Sequence, residues 1–413
     1  MESYDMIIVG AGPAGMSAAA AASRSGCRIL LLEQAGQVGK KILVTGNGRC
    51  NLTNRVQEIG CYRSEEPEKV QEILDQFTLE DTFAFFRRLG ILTRDKNGYI
   101  YPYNEQASAV REAFALMLEQ NRNITVRTDC RVDAAEASGD GFLVHTSLGT
   151  YRASSLILTT GGLAGPGKGA DGSGYRIAKS MGHHLIPTFP ALTALYSTAP
   201  FLKKASGVRC QAEVTLYCDG EAVAKESGEV QWTDRGISGI CVFQMSRYAI
   251  LALEAGQKVV VSLDLMREWD HNKLYSVLKQ IIEDCPYKSP REILRGILPG
   301  KLTDIVLREA GLDKEEKSLL PVSGKLEDLV GAIKAFPLRI NGYGDYGKAQ
   351  VTRGGIPLSE VTSRLESGYQ PGLFFAGEIL DVDGTCGGYN LQWAFSSGNV
   401  AGRAAAERTE RMS

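Results

Sequence analysis

Long apolar runs are missing from this sequence, and so is an excess of charge of either sign. No hydrophobic stretch approaches the roughly 18 to 20 residues that a membrane-spanning helix needs, so we expect no membrane partner. The first residues also lack the basic region and the cleavage site of a signal peptide. With 46 basic and 48 acidic residues the formal net charge is -2, which gives no electrostatic footprint for a nucleic-acid partner. We therefore expect a cytoplasmic protein that acts on a small-molecule substrate.

Paired cysteines and metal-ligand patterns are missing as well. The nine cysteines are odd in number and form no CxxC pair, which is typical of reduced thiols in a cytoplasmic protein. The four histidines form no ligand pattern with carboxylates, so we predict no metal site. What the sequence does have is 46 glycines, many of them clustered in a few motifs. Such clusters favour a backbone that packs closely against a large ligand.

The N-terminal glycine cluster follows an apolar strand and opens an alanine-rich helix. The strand Asp5–Val9 runs into Gly10-Ala-Gly12-Pro-Ala-Gly15. The first glycine of this spacing permits a tight turn, the second lets the backbone approach a pyrophosphate, and the third lets the helix pack on the strand. The pyrophosphate then lies over the helix N-terminus, where N–H groups and the helix dipole favour negative charge. GxGxxG alone is weak evidence, but in this context it predicts a dinucleotide site.

A second strand narrows the choice of dinucleotide. Arg28–Leu32 is apolar and ends on Glu33, eighteen positions beyond Gly15. A carboxylate there accepts hydrogen bonds from both ribose hydroxyls and repels a 2′-phosphate, which predicts an adenosine-type ligand and not NADP. The alternative is an ordinary acidic residue at a strand end.

The C-terminal segment separates FAD from NAD. Its apolar strand ends on Gly377 and Glu378, a pair that flavoproteins use near the pyrophosphate and the ribitol of the cofactor. Asp381 or Asp383 is then placed to hydrogen-bond the ribityl hydroxyls. The helix that follows could direct its first amides at the flavin N1–C2=O edge and stabilise the anionic reduced flavin. Plain helix capping by Thr385 or Asn390 is the alternative interpretation.

Two further loops complete the predicted FAD site. The segment from Lys41 to Asn54 is dense in small and polar groups and could wrap the isoalloxazine ring, although it also fits a surface loop with Asn-Gly turns. The glycine-rich segment 161–169 follows a strand, but no apolar helix begins at its glycines. We therefore do not interpret it as a second dinucleotide-binding turn. We expect it to support the flavin or the mouth of the substrate site, and we expect NAD(P)H to visit the flavin face as a transient electron donor. The predicted cofactor contacts are Gly10, Gly12, Pro13, Ala14, Gly15, Glu33, Lys41, Thr45, Gly46, Asn47, Gly48, Arg49, Cys50, Asn51, Val132, Gly161, Gly377, Glu378, Asp381, Asp383, Gly388, Asn390 and Leu391.

The order of elements predicts an α/β protein with a Rossmann-like domain that is discontinuous in sequence. A chain of 413 residues is long enough for two or three domains. Strands and helices alternate over residues 1–189 and return over 341–413, which indicates the FAD-binding domain. Residues 190–270 predict a β-rich, barrel-like part, and residues 271–340 predict several short helices, both inserted into that domain.

With these motifs in hand, the chain resembles the BaiN/YhiN family of FAD flavoproteins. The motifs that carry the resemblance are Gly10–Gly15, the Thr45-Gly-Asn-Gly-Arg-Cys-Asn51 run, the segment 377–392 and Gly236-Ile-Ser-Gly239. The resemblance extends over essentially the whole chain and implies a Rossmann-like FAD domain with an inserted β-barrel and helical part. The family includes 3-dehydro-bile-acid Δ4,6-reductases and aminoacetone oxidases, so it does not fix the substrate.

The sequence offers four candidates for acid or oxyanion roles in catalysis: Arg49, Tyr389, Asp234 and Arg235. Cys50 and Cys386 lie in the two flavin motifs and are a weaker hypothesis for a redox pair, since their spacing is not that of a redox motif.

Three functions remain open. The leading hypothesis is an NAD(P)H-dependent reductase of C=C bonds in 3-oxo steroid or bile-acid-like enones, by hydride transfer from reduced flavin N5. The alternatives are a flavin oxidase of small amines that produces hydrogen peroxide, and a flavin-bearing RNA-modifying or partner-binding protein. The near-neutral charge weighs against the third.

Overall fold

The computed structural model describes residues 1–165, 170–312 and 323–412, and divides the chain into two compact units. The first comprises Met1–Pro190 and Tyr346–Ser413, and the second comprises Ala191–Asp345. The strands and helices expected separately over 190–270 and 271–340 fall into this one second unit. Each unit has its own hydrophobic core. No helix of the described ranges combines the length and the apolar character that spanning a bilayer requires.

The secondary structure follows the alternation read from the sequence. The strands are β1 (Glu2–Val9), β2 (Ile29–Leu32), β3 (Thr53–Asn54), β4 (Tyr62–Arg63), β5 (Thr93–Lys96), β6 (Tyr99–Pro102), β7 (Ile124–Arg127), β8 (Val132–Ser138), β9 (Gly141–Thr146), β10 (Gly149–Leu158), β11 (Ile186–Ala191), β12 (Leu195–Tyr196), β13 (Arg209–Cys218), β14 (Glu221–Trp232), β15 (Gly236–Ser238), β16 (Val259–Asp264), β17 (Phe336–Ile340), β18 (Gly342–Tyr343), β19 (Val351–Gly355), β20 (Leu373–Phe375) and β21 (Asp383–Gly384). The helices are α1 (Pro13–Ala22), α2 (Pro67–Asp75), α3 (Leu79–Arg88), α4 (Ala107–Gln120), α5 (Ser173–Ser180), α6 (Leu202–Ala205), α7 (Ile240–Glu254), α8 (His271–Asp284), α9 (Pro290–Leu294), α10 (Gly300–Glu309), α11 (Ser323–Lys334) and α12 (Tyr389–Met412).

The main sheet of the first unit is parallel at its centre and antiparallel at one side. Its order is β7-β2-β1-β10-β9-β8, and β20 also pairs with β10. The β1, β2, β7, β10 and β20 ladders are parallel, whereas β8, β9 and β10 pair antiparallel. The central strands are buried on both faces, which is why they are continuous apolar runs in the sequence. The expected Rossmann-like fold with an antiparallel excursion is therefore confirmed.

The first and last helices pack tightly against each other. A Cβ added at Gly398 of α12 would overlap the backbone of Ala14, and one at Gly402 would overlap the backbone of Ala18. The hydroxyl of Ser17 also donates to the carbonyl of Phe395 at 2.8 Å. The small residues of both helices thus permit a close approach, which holds the two ends of the chain together.

The second unit is built around one antiparallel sheet. Its order is β17-β16-β13-β14-β15-β12-β18. Its core joins apolar residues of this sheet to residues of α7, α8, α10 and α11, among them Leu216, Met245, Leu278 and Ile333. The strand-rich and helical parts of the insertion therefore share one core.

Candidate functional site

The glycine turn between β1 and α1 has the geometry of a pyrophosphate cradle. Gly10 has a φ of 102°, and a Cβ on it would lie 2.6 Å from the carbonyl oxygen of Thr159. A Cβ on Gly15 would overlap the carbonyl of Gly10. Around Gly12, in contrast, nothing lies within 4 Å of the Cβ position. The helix that starts at Pro13 has no side-chain cap, so its first amides are available to an anion in that open space.

Glu33 is fixed beside this turn. Its carboxylate accepts hydrogen bonds of 2.8 Å from the amides of Ala11 and Ala35. Burial raises the pKa of Glu33, and these two backbone hydrogen bonds oppose the rise. Its carbonyl accepts the amide of Cys130 at 2.9 Å, which brings the buried Val132 close to the same strand end. The arrangement fits the adenosine half of FAD.

A polar bridge joins three segments that are far apart in sequence. Lys41 forms a salt bridge of 2.6 Å with Glu378, whose other oxygen accepts the amide of Thr352 at 2.7 Å. The Thr352 hydroxyl accepts the amides of Leu163 and Ala164 at 2.8 and 2.9 Å. The Lys41 loop, the Gly377-Glu378 turn and the glycine loop after β10 are therefore linked through one threonine on β19. Gly161 opens that last loop with a φ of 74°, and its continuation over 166–169 lies outside the described residues.

The predicted ring-binding loop turns sharply through left-handed backbone. Gly46, Asn47, Gly48 and Cys50 all have positive φ, and Val44 and residues 46–49 are exposed. The Cys50 thiol is completely buried, and burial raises its pKa to about 12. Cys50 is therefore a poor redox thiol, which argues against the Cys50–Cys386 pair.

Two polar side chains of this loop form hydrogen bonds with backbone carbonyls of the protein itself. The hydroxyl of Thr45 donates to the carbonyl of Ile42 at 2.7 Å. The Asn51 amide donates to the carbonyls of Thr53 and Ile100 at 2.9 and 3.0 Å. These bonds shape the loop, so a cofactor contact from it would come from the exposed backbone between them.

The C-terminal flavin segment contacts the N-terminal loop directly. A Cβ on Gly388 would lie 2.6 Å from the backbone of Thr53, and the Asn54 amide donates to the carbonyl of Gly387 at 3.0 Å. Asn390 holds the turn by accepting the Gly384 amide at 2.8 Å and donating to its carbonyl at 2.9 Å. The structure thus brings the two predicted flavin segments together, ahead of Leu391 in the first turn of α12.

Both candidate aspartates of this segment are buried. Asp381 accepts the amide of Glu65 at 3.2 Å, and Asp383 lies 4.0 Å from the guanidinium of Arg63. Each of the two aspartates is 1% exposed. Their carboxylates are therefore held at defined positions by β4 and its neighbours, as a ribitol-binding role requires.

The four candidate catalytic residues differ in their surroundings. Arg49 is 54% exposed and lies 4.0 Å from Glu105. Tyr389 is buried edge-to-face against Tyr62, and its pKa is raised first by burial and then by the neighbouring Cys61 thiol. This packing favours a structural role for Tyr389.

The other two candidates belong to the second unit. Asp234 and Arg235 lie on an exposed turn between β14 and β15, closed by Thr233 and Gly236. The Arg235 guanidinium lies 4.4 Å from the centre of the Tyr196 ring.

Sequence reasoning missed Thr159, which supports the glycine turn, and Thr352. The Thr159 hydroxyl donates to the carbonyls of Val9 and Gly10 at 2.9 and 2.8 Å. Thr159 stands just before the glycine-rich segment 161–169, but nothing in that segment indicates a contact with the first glycine turn, and Thr352 belongs to no motif.

Comparisons with known proteins agree with this geometry. The family described as "HI0933-like protein Rossmann domain" matches residues 4–404. The chain is 41% identical to a 3-dehydro-bile acid delta(4,6)-reductase of Clostridium scindens, over 97% of this chain and 98% of that protein. It is 32% identical to a ribosomal RNA dihydrouridine synthase of Escherichia coli, over 96% of each chain. Among solved structures, the 3-ketosteroid delta1-dehydrogenase of Sterolibacterium denitrificans has a TM-score of 0.52 at 11% identity, over 99% of this chain and 100% of that one, and shows the fold alone.

Proposed function

Because the chain belongs to the HI0933-like Rossmann family and is an FAD-dependent oxidoreductase, we propose that it reduces a carbon–carbon double bond conjugated to a carbonyl group. The proposed substrate is a 3-oxo steroid acid of the bile-acid type, and the proposed electron donor is NAD(P)H. The observation that carries the proposal is the 41% identity with a 3-dehydro-bile acid delta(4,6)-reductase over almost the whole of both chains.

The two kinds of reductase among the relatives share one chemistry. A 3-oxo steroid with a 4,6-diene has alkenes conjugated to its ketone, and the uracil C5=C6 bond is conjugated to the C4 carbonyl. In both reactions the hydride adds to the alkene carbon that lies farther from the carbonyl along the conjugated system, and the proton adds to the other carbon of that alkene. The proposed reaction class therefore holds for either substrate.

The residues of this chain would hold FAD and contact the substrate. The α1 amides and Glu33 would bind the pyrophosphate and the ribose, and Asp381 or Asp383 would bind the ribitol. Bound FAD, once reduced, supplies the hydride. Arg49, on the exposed part of the ring-binding loop, would contact the substrate.

The reductant is proposed to enter the flavin site itself. Among the described residues, the GxGxxG turn that opens a helix is that of β1 and α1, and it is assigned to FAD. NAD(P)H would therefore reduce the flavin and leave before the alkene binds.

A second candidate function is reduction of uracil in RNA. It is favoured by the 32% identity with a ribosomal RNA dihydrouridine synthase over 96% of both chains. The formal net charge of -2 weighs against it, since affinity for nucleic acid comes largely from phosphate neutralisation.

Anaerobic mixing experiments test the proposal. We expect NADH or NADPH to bleach the absorbance of the bound flavin, and a 4,6-dien-3-oxo steroid acid to restore it with loss of one alkene. Bleaching by aminoacetone but not by NAD(P)H would show an amine oxidase instead. If a uridine-containing RNA restored the flavin absorbance and the steroid did not, the result would favour the second candidate function.

A further inference from the structure

A small three-stranded sheet lies against both flavin segments. Its order is β3-β6-β5. The Tyr99 ring is 3.3 Å from the Cβ position of Gly387, and the Tyr101 ring is 3.8 Å from that of Gly46. The sheet therefore packs against both segments of the predicted ring-binding region, and Arg49 of that region reaches Glu105, in the loop after β6.

Beside this sheet, three cations surround one carboxylate. Glu105 pairs with Lys96, with Arg94 at 3.5 Å and with Arg49 at 4.0 Å. We call these four residues the Glu105 cluster. Three positive charges and one negative charge leave an excess of two positive charges. The cations remain 38 to 54% exposed, so a second anion can reach them.

Glu105 is held in an unusual backbone conformation. It has a φ of 54°, and its amide donates to the carbonyl of Pro102 at 2.8 Å. The ion pairs to Lys96, Arg94 and Arg49 lower the pKa of its carboxyl group. Glu105 therefore stays charged and gathers the three cations at one point.

An apolar surface borders the cluster. The Arg94 guanidinium stacks 4.1 Å from the centre of the Tyr103 ring. Tyr103 is 57% exposed, and the neighbouring Leu92, whose carbonyl accepts the Tyr103 amide, is 67% exposed. Stacking restricts the Arg94 side chain before any ligand binds. The planar guanidinium of Arg94 can donate two parallel hydrogen bonds to the two oxygens of a carboxylate. Cations beside an exposed apolar pair suit a ligand with an apolar body and a single anionic end.

We propose that the Glu105 cluster binds the carboxylate of the substrate, with Arg94 and Lys96 as the specificity-determining residues. This inference rests on the proposed function and deepens it, because it assigns the acid end of the steroid to a defined surface. Two acids, Asp95 on β5 and Glu105 in the loop after β6, make this surface less suited to a polyphosphate chain.

The test compares an acid with its neutral amide. Steady-state kcat and KM are measured for a 4,6-dien-3-oxo steroid acid and for the primary amide of the same steroid, using FAD-loaded protein. We expect Arg94→Gln and Lys96→Gln each to raise KM for the acid about five- to tenfold, leaving kcat and the amide KM unchanged. The matched control is Arg55→Gln, because Arg55 directly follows β3 of the same small sheet but pairs one-to-one with Asp95 at 3.1 Å.

Binding measurements separate this inference from the proposed reaction. If wild type reduces neither steroid, the proposed function fails, and titration calorimetry with the saturated steroid acid still tests the cluster. Weaker binding of the acid by Arg94→Gln, with the amide unaffected, supports the site. The proposed carboxylate site would be overturned if Arg94→Gln weakened the binding of acid and amide equally or weakened neither. It would also be overturned if this variant weakened only the binding of a uridine oligonucleotide.

Discussion

At the scale of single residues, the FAD site depends on a few polar side chains whose surroundings fix their charge. Glu33 and Glu378 are acids of the same domain, but they differ in what they contact. Glu33 accepts backbone amides beside the glycine turn, whereas Glu378 is tied to Lys41 and to Thr352. Glu33 is therefore suited to bind ribose, and Glu378 to hold three loops together.

Glu33→Ala is expected to weaken FAD binding about ten- to a hundredfold, because the ribose would lose hydrogen bonds to a charged acceptor. In wild type, the affinity is also expected to fall as the pH drops through a Glu33 pKa that burial has raised above its usual value. Titration calorimetry of the apoprotein measures both effects. The control is Glu112→Gln, whose side chain is 66% exposed on α4, and an equal loss in that variant would contradict the assignment.

The buried pair His183 and Glu360 is expected to make the first unit sensitive to acid. His183 hydrogen-bonds Glu360 at 2.9 Å and Ser367 at 2.7 Å. Burial lowers the pKa of His183; burial alone would raise that of Glu360, but hydrogen bonds from His184 and His183 lower it overall. The folded-state pKa values of His183 and Glu360 lie below their unfolded-state values. The contribution of His183 to stability is therefore complete above about pH 6.5, and the contributions of both groups are lost as the pH falls through their folded-state pKa values.

Thermal unfolding between about pH 7 and about pH 5 checks this expectation. Wild type should lose more stability over that interval than His183→Gln, which has no imidazole to protonate. A parallel loss in both proteins would show that other groups govern the acid sensitivity.

At the scale of elements, close approach of helices and loops decides the geometry of the cradle. α1 carries the pyrophosphate amides, and α12 packs against it through glycines that leave no room for a Cβ. The glycine loop after β10 is positioned by the hydroxyl of Thr352.

Gly398→Ala is expected to destabilise the protein by about 1–3 kcal/mol and to weaken FAD binding, because the added methyl group displaces α1. The matched control is Gly331→Ala in α11, where nothing lies within 4 Å of the Cβ position. That change should be neutral or stabilising by about 0.5–1 kcal/mol. Chemical denaturation and FAD titration measure both variants, and equal behaviour would show that the α1–α12 contact is not tight.

Thr352→Val is expected to cost about 1–3 kcal/mol, because two loop amides would lose their acceptor at nearly constant side-chain volume. FAD affinity should fall with stability, since the same loop adjoins the Lys41–Glu378 bridge. Thr352→Ser, which keeps the hydroxyl, should restore most of both. Failure of serine to restore them would show that the methyl group, not the hydroxyl, holds the loop.

At the scale of the whole molecule, each unit is stabilised by its own core. The FAD contacts predicted from the sequence all belong to the first unit, and the second unit is a single continuous segment.

The segment 191–345, produced alone, is therefore expected to unfold cooperatively and to bind no FAD. Calorimetry and flavin titration of that fragment check the expectation. A fragment that collapses without a cooperative transition would show that its core is incomplete without the first unit.

Much of this protein could be predicted from its sequence because the decisive signals are local. The turn of Gly10–Gly15 and the strand ending on Glu33 are contiguous, so their spacing alone identified a dinucleotide site, and the Rossmann-like fold and the family were confirmed. Only the tertiary structure brought Thr352 to Glu378, Thr53 to Gly388 and Lys96 to Glu105. No periodicity or motif predicts these contacts. The first two join segments far apart in the sequence through the packing of buried strands and helices, and the third depends on how the chain turns after β6. The cofactor was therefore determined by the sequence, whereas the walls of the site, including the proposed carboxylate contact, were decided by the fold.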